Sequence, residues 1–300
     1  MTMKERLRSR VAELTSIIGV SGHEWDVAKY IFDAIKDDVD TIEQLPNGII
    51  VAAKKGAHPG PRVMVSAHMD EVGYEVKSVS PQGYLYFDQI GGATIACLPG
   101  RRVLVKGEKG VVKGVVGIRA GHLLTPEQIA KAHVDICVGS REEAEALGIH
   151  AGAQIVPDSP LESIGPDGDY ICTRAADCRA LCAVIIETLK ELKAEDIHGE
   201  VVAAFNIIEE TTVKGIAAAS TACSWIPSPA AMFPMSISAR SCPLPSRRAP
   251  SCCTASCSWV WACAPAAIPS SLRPSATRPK RPVPITRNSP LTVPVMSPMP

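Results

Sequence analysis

The pattern of apolar and polar positions over the first 40 residues predicts two amphipathic helices. Apolar residues recur at helical spacing over residues 3–17 and again over residues 24–37. Gly19, Gly22 and His23 lie between these stretches and predict a connecting loop.

Continuous apolar runs further along the chain predict buried strands. Residues 49–53, 62–67 and 201–208 are short runs rich in valine, isoleucine and alanine, as expected of strands that are covered on both faces. Residues 179–192 have the spacing of a long helix and precede the last of these strands. Buried strands that alternate with amphipathic helices predict an α/β fold.

The sequence changes in character between residue 73 and about residue 160. Short runs with β propensity alternate there with glycine-containing turns, which predicts a small β-rich domain inserted into the α/β fold. The predicted strands of the insert are 74–79, 84–88, 102–105, 111–118 and 134–138. The predicted division of the chain is residues 1–70 and 163–219 for the α/β domain, 71–162 for the insert and 220–300 for a tail.

Polar residues that can bind metal follow two of the predicted buried strands. His68 and Asp70 come directly after one strand, Glu209 and Glu210 come at the end of another, and Asp177 stands at the start of the long helix. Open α/β sheets bind ligands at the carboxyl ends of their strands, so these side chains are expected to share one site.

The residue types of this set predict a dinuclear metal centre with His68, Asp177 and Glu210 as ligands. Such a centre needs a bridging carboxylate and further nitrogen or oxygen ligands on each ion. Asp70 lies two residues from His68, on the same face of extended chain, where its carboxylate can orient the imidazole. Glu209 beside Glu210 is left to activate water. A single His-x-Asp or Glu-Glu pair is usually a surface feature, but three such sites together are hard to explain by packing. A glycosidase is disfavoured, because paired acids alone perform that chemistry.

Composition divides the chain near residue 210. All 31 acidic residues and all seven histidines lie at or before Glu210, whereas nine of the 31 basic residues and 16 of the 25 prolines follow it. Proline interrupts helices and central strands, so the tail is predicted to be irregular. Its clustered cysteines have no histidine or acidic residue beside them, which disfavours a zinc site.

Two origins are open for the tail. One is a basic, proline-rich disordered segment, although Trp259, Trp261 and the clustered cysteines are untypical of disorder. The other is a translated frameshift just after Ala219, because a shifted reading of the same codons permits acidic residues and histidines again. The nucleotide sequence distinguishes the two origins.

The sequence predicts a cytoplasmic protein. The charged N-terminus runs into an amphipathic helix, and no apolar run reaches the roughly 18 residues of a membrane span. The five cysteines before residue 210 have no CxxC spacing, which is consistent with reduced thiols. Neither a membrane nor a nucleic acid is expected as a partner.

Four motifs in this order resemble the tetrahedral aminopeptidases, the family of glutamyl and deblocking aminopeptidases that includes the cellulase-M proteins. The motifs are VSAHMDEVG at 65–73, GVVGIRAGH at 114–122, DCR at 177–179 and IEETTVKG at 208–215. The resemblance extends from the N-terminus to about Ala219. It implies a phosphorylase/hydrolase-like, doubly wound α/β catalytic domain that is interrupted by a β-barrel-like dimerisation insert, and an assembly of twelve subunits.

The resemblance also assigns roles to individual residues. His68 would bind one divalent ion, Asp177 would bridge two ions, and Glu210 would bind the other. Glu209 would be the general base, and Asp70 would orient His68. The ions would be zinc or cobalt, with manganese also possible, and the substrates would be peptides that are hydrolysed at their amino-terminal bond.

The chain departs from the family pattern in three ways. Cys178 and Leu181 stand where the family has Asp or Asn and Gly, and no Asp or His follows Gly215, although the family places one further metal ligand of each type there. Each ion would then keep only two protein ligands and bind weakly. His122 matches a recurrent family position, for which an interface or structural role is expected. The alternatives left open are a non-catalytic remnant of such an enzyme and a related two-metal deacylase.

Overall fold

The computed structural model of the chain describes residues 1–117, 132–212, 215 and 218–219, together with the backbone of 233–235 and 260–262. His122 and most of the tail lie outside the described residues, so the predictions for them stay predictions. The described helices are α1 (Met3–Ser16), α2 (Trp25–Ile35), α3 (Arg141–Ala146) and α4 (Ala176–Glu191). The described strands are β1 (Thr41–Gln44), β2 (Ile50–Lys55), β3 (His58–His68), β4 (Gly73–Val79), β5 (Leu85–Ile90), β6 (Arg102–Gly107), β7 (Gly110–Gly117), β8 (His133–Asp135), β9 (Gln154–Pro157), β10 (Glu162–Ile164), β11 (Tyr170–Cys172), β12 (His198–Asn206), β13 (Phe233–Met235) and β14 (Val260–Ala262).

The two helices predicted at the N-terminus are both present. A capping box begins α1: the backbone N–H of Glu5 donates to the Thr2 hydroxyl (3.3 Å), and the N–H of Thr2 donates to the Glu5 carboxylate (2.7 Å). The apolar sides of α1 and α2, with Leu14 and Ile31 fully buried, form part of the same core as the sheet.

The α/β part contains a four-stranded sheet in the order β1-β2-β12-β3. Strand β12 is antiparallel to β2 and parallel to β3, and Asn206 at the end of β12 is the register partner of His68 at the end of β3. Four successive residues of β12, from Val202 to Phe205, are fully buried, so both faces of the sheet are covered. The predicted α/β fold is confirmed.

The insert is a closed barrel in the order β4-β5-β8-β7-β6-β9, with every strand between Gly73 and Pro157. Its core is separate from that of the sheet and includes the buried residues Leu85, Val103 and Val134. The predicted β-barrel-like insert is confirmed. Two further antiparallel pairs, β10 with β11 and β13 with β14, form separate two-stranded sheets.

Two strands end earlier than the apolar pattern predicts. The run 201–208 belongs to a strand only as far as Asn206, and the run 134–138 only as far as Asp135. Left-handed residues explain both differences, because Ile208 has a φ of 57° and Cys137 a φ of 61°, which extended strands exclude.

No helix in the described part of the chain is both long and apolar enough to cross a membrane. The cysteines at 97, 137, 172 and 182 have free thiols, and Cys178 and Cys182 are buried.

Candidate metal centre

The structure brings the predicted site residues together at one end of the sheet. Strands β3 and β12 are parallel neighbours, so the residues that follow them emerge side by side. The Nε2 atom of His68 lies 3.4 Å from Oδ1 of Asp177 and 3.7 Å from Oε2 of Glu209. Asp177 reaches His68 from the start of α4, where it and Cys178 have non-helical backbone angles and the regular helix begins after them.

Asp70 makes the predicted contact with His68 and a second set of contacts that the sequence did not reveal. Its Oδ1 lies 3.4 Å from Nδ1 of His68. The same fully buried carboxylate accepts the backbone N–H groups of Glu209 (3.1 Å) and Glu210 (3.0 Å). Asp70 therefore fixes both the imidazole on β3 and the acidic pair after β12.

Two groups of side chains offer donor atoms that could hold a metal ion. In each group the ligand atoms lie within 4.8 Å of one another: one contains His68, Asp177 and Cys178, and the other contains His68, Glu209 and Glu210. Imidazole nitrogen and carboxylate oxygen suit zinc, cobalt and manganese, so the donor set fits the predicted divalent ions. The thiol of Cys178 is a donor that the sequence pattern did not single out.

The electrostatics of the centre also favour a cation. Burial lowers the pKa of His68, but Asp177 and Asp70 outweigh it and raise that pKa to about 11. Burial and the nearby carboxylates raise the pKa of Glu210 to about 7 against the attraction of His68, and burial raises the pKa of Glu209. Burial also opposes the ionisation of Asp70, yet His68 and two backbone N–H groups lower its pKa. Four carboxylates around one imidazole leave an excess of negative charge, which a divalent ion would neutralise.

A buried arginine hydrogen-bonds to the segment that carries His68 and Asp70. Arg179 is fully buried and donates to the carbonyl oxygens of Met69 (2.9 Å), Leu14 (3.0 Å) and Gly19 (3.0 Å). Glu71 lies 3.3 Å from Arg179. The sequence contained Arg179 within a motif, but nothing in the pattern revealed that it caps carbonyl groups on both sides of the site.

A cavity of about 900 Å³ opens beside the centre. Asp177 and Glu210 lie on its wall together with Tyr74 and Leu98 from the barrel and Thr173 from the α/β part. A cavity of this size can hold a small molecule or a short stretch of peptide next to the carboxylates.

Comparison with known proteins identifies the family. The family model for M42 glutamyl aminopeptidases matches residues 48–227, more than half of the chain. The chain belongs to the M42 glutamyl aminopeptidase family. The resemblance to tetrahedral aminopeptidases that the four motifs carry is therefore confirmed.

Individual members of the M42 family show how far the similarity extends. The lysyl aminopeptidase of Pyrococcus furiosus is 31% identical over 214 residues, which cover 68% of this chain and 60% of that protein. The glutamyl aminopeptidase of Lactococcus lactis is 28% identical over 228 residues, which cover 72% of this chain and 63% of that protein. The Pyrococcus horikoshii TET1 peptidase, which can assemble into a tetrahedron or a large octahedral shell, superimposes with a TM-score of 0.61 at 30% identity and covers 71% of this chain and 63% of its own.

The similarity covers only part of each relative. The matched region spans 53–63% of the length of these and other curated M42 relatives.

Proposed function

We propose that this chain carries the metal centre of an aminopeptidase that removes amino-terminal residues from peptides. The observation that supports this most directly is the convergence of His68, Asp177, Glu209 and Glu210 beside a cavity of about 900 Å³. Membership of the M42 family supports the reaction class. The lysyl and glutamyl preferences of two relatives differ, so no residue preference is carried over.

The proposed cofactor is a pair of divalent metal ions, zinc or cobalt in the first place and manganese as a further possibility. His68 would hold one ion, Glu210 would hold the other, and Asp177 would bridge them. When bound, the ions would polarise the scissile carbonyl group and lower the pKa of the attacking water molecule.

Glu209 and Asp70 have supporting roles in the proposed reaction. Glu209 would accept a proton from the attacking water and deliver it to the leaving amine, as a carboxylate that is not needed as a ligand can do. Burial raises its pKa, which favours proton acceptance near neutral pH. Asp70 would keep Nε2 of His68 directed at the ions, because it lies next to the opposite ring nitrogen.

A non-catalytic remnant is the first alternative, and it rests on the composition of the tail. No acidic residue or histidine follows Glu210, so the further Asp and His ligands that the resemblance implies are absent from this sequence. A chain without them would bind metal weakly, which favours a non-catalytic remnant, and a translated frameshift after Ala219 is the proposed cause. A related two-metal deacylase is the other alternative.

The experiment that tests the proposal combines metal content with substrate choice. The full chain is dialysed against zinc or cobalt and its metal content is measured by mass spectrometry, and hydrolysis of aminoacyl anilides is compared with hydrolysis of N-acylated amino acids. Two ions per chain and cleavage of the anilides alone support the aminopeptidase, and cleavage of the acylated compounds supports the deacylase. A chain that binds no metal is the remnant. Glu209→Gln is the matched control, because it is expected to remove turnover and leave the metal bound.

The larger organisation is proposed on the same basis. Residues 1–70 and 163–219 would form the catalytic domain, 71–162 would form a dimerisation insert, and a complete enzyme would assemble into twelve subunits in the cytoplasm. The assembly of the Pyrococcus horikoshii relative supports the oligomer. Sedimentation analysis of the full chain tests it, and a monomer at all concentrations would contradict it.

A further inference from the structure

The residues Ile208, Glu209 and Glu210 form a sharp bend directly after β12, which we call the 208–210 elbow. Its three successive backbone N–H groups all donate to carboxylates. Ile208 donates to Oε1 of Glu24 (2.9 Å), and the other two donate to Asp70 at 3.1 and 3.0 Å. Hydrogen bonds to charged acceptors are strong and directional, so this set of contacts fixes the direction in which the two glutamates point.

The elbow begins with a residue in an unfavourable conformation. Ile208 has a φ of 57°, in the left-handed region that β-branched residues avoid because the side chain crowds the backbone. Such a conformation persists only where the surrounding contacts hold it. Asp70 holds the amides of Glu209 and Glu210, and Glu24 holds the amide of Ile208.

The side chain of Glu24 does not cap its own helix. It occupies the N-cap position of α2, yet its side chain makes no capping hydrogen bond to that helix. Oε1 instead accepts the N–H groups of Gly22 (2.8 Å) and Ile208, and the residue is only 5% exposed. The hydroxyl groups of Ser21 and Thr211 lie 3.2 Å apart, so the loop before α2 contacts the chain on both sides of the elbow.

We propose that Glu24 is a positioning residue that keeps Ile208 left-handed and thereby directs Glu209 and Glu210 at His68. Without its carboxylate the amide of Ile208 would be left unpaired in a partly buried place, and Ile208 would relax to a negative φ. That rotation would swing the two glutamates away from the imidazole. The consequence for metal binding rests on the proposed function, but the contact between Glu24 and the elbow does not.

Three variants of the full chain separate this role from a general effect on folding. Glu24→Ala removes the acceptor. Glu24→Gln keeps a carbonyl oxygen for the two amides, and a cavity of about 70 Å³ beside Glu24 leaves room for its NH₂ group. Glu24→Ala combined with Ile208→Gly removes the acceptor and also the strain that it opposes, because glycine adopts a positive φ without steric cost.

The first measurement is amide hydrogen exchange in the metal-free chain. We expect the amides of residues 208–210 to exchange about tenfold to a hundredfold faster in Glu24→Ala, as the loss of one charge-assisted hydrogen bond implies, and within about threefold of the parent in Glu24→Gln. Amides of β6 and β7 in the barrel serve as the folding control and are expected to be unchanged. Unchanged exchange at 208–210 in Glu24→Ala would overturn the proposal, as would equal effects of alanine and glutamine.

The second measurement is cobalt binding followed by its visible absorption spectrum. Glu24→Ala is expected to weaken binding about tenfold or more and to alter the spectrum, whereas Glu24→Gln and the double variant retain the parent behaviour. A double variant that binds cobalt as weakly as Glu24→Ala would show that strain at Ile208 is not involved.

If the parent chain binds no cobalt, the proposed function fails, while hydrogen exchange still decides the role of Glu24. If Glu24→Ala does not fold, recovery of the fold in the double variant supports the proposal, and no recovery overturns it.

Discussion

The α/β domain and the barrel are both packed around well-buried apolar cores, but they differ in where their strands end. In the α/β domain, β3 and β12 run parallel, and His68 and Asn206 are register partners at their carboxyl ends. In the barrel all neighbouring strands are antiparallel, so each rim mixes strand starts with strand ends. Within the part of the chain that the structure describes, both candidate metal-binding groups contain His68 and neither contains a barrel residue. Parallel neighbouring strands therefore bring the polar residues that follow them to the same edge of the sheet. The antiparallel strands of a closed barrel do not.

The barrel still contributes to the site through its backbone. A Cβ atom placed on Gly91 would lie only 3.0 Å from Cβ of Glu210, and Gly91 has a φ of 69°. Glycine thus lets the barrel approach the metal centre closely. The barrel forms a wall of the cavity, and the α/β domain supplies the candidate ligands.

The largest expected difference between the two regions is in metal binding. Asp177→Ala removes the proposed bridging carboxylate and is expected to weaken cobalt or zinc binding by about a hundredfold or more, since even indirect partners of a metal ligand contribute ten- to a hundredfold. Asp88→Ala is the matched control, because this barrel aspartate makes only an exposed ion pair with Lys77, with both side chains 64% exposed. Isothermal titration measures both. Equal losses in the two variants would contradict the assignment of the site to the α/β domain.

The second prediction concerns the barrel, where a substitution is expected to reduce stability and leave metal binding intact. Leu85 is fully buried in the barrel core, so Leu85→Ala is expected to reduce the free energy of unfolding by about 2–5 kcal/mol. The metal affinity of the folded protein is expected to stay within about threefold of the parent. The void left by the shorter side chain forms in the barrel core, away from His68 and Asp177. Urea unfolding gives the first quantity and titration without denaturant gives the second. A large loss of affinity would show that barrel packing and the metal centre are coupled.

Much of this difference could be predicted from the sequence. The apolar runs of β3 and β12 and the polar residues that follow them predict that His68, Glu209 and Glu210 stand at strand ends and share one site. Short elements such as β10 and β11 could not be predicted, because three residues carry too little periodicity. The early end of β12 was also missed, since a left-handed isoleucine is determined by contacts elsewhere in the fold.

The supporting contacts of the site were not predictable for a related reason. Asp70 binds the amide of Glu209, 139 positions away, and Glu24 binds the amide of Ile208, 184 positions away. Neither pair has a sequence spacing that carries information about proximity. Arg179 likewise caps carbonyl groups more than 100 positions distant. Residue types at strand ends indicated the chemistry, and only the tertiary structure showed what holds it in place.

The third prediction concerns the pH dependence of metal binding by the α/β domain. The pKa of Glu210 lies at about 7 and that of His68 at about 11 in the metal-free protein, so a metal ion must displace protons to bind. Protonation favours the empty site, and metal affinity is therefore expected to fall as the pH is lowered through 7, by about tenfold for each displaced proton and pH unit. Titrations between about pH 6 and pH 8 with a pH-insensitive metal indicator measure this. Displacement of the proton on His68 applies over this whole range, so a pH dependence that does not steepen below pH 7 would show that Glu210 is not a ligand.

The smallest expected effect is that of replacing Cys178, which tests whether its thiol belongs to the metal centre. Cys178 lies within ligand distance of His68 and Asp177, but it is only 1% exposed, whereas the side chain of Asp177 is 34% exposed and lines the cavity. Asp177 and Glu210 both line the cavity, so we expect an ion that they share to lie on the cavity side, away from the buried thiol. Cys178→Ala is therefore expected to change cobalt affinity by less than about threefold and to cost about 1 kcal/mol of stability through the lost packing.

The cobalt form of the parent chain is expected to lack the near-ultraviolet charge-transfer band of a cobalt–thiolate bond. A band that is present in the parent and absent from the variant would make Cys178 a ligand and would favour zinc over manganese, because thiolates select softer ions.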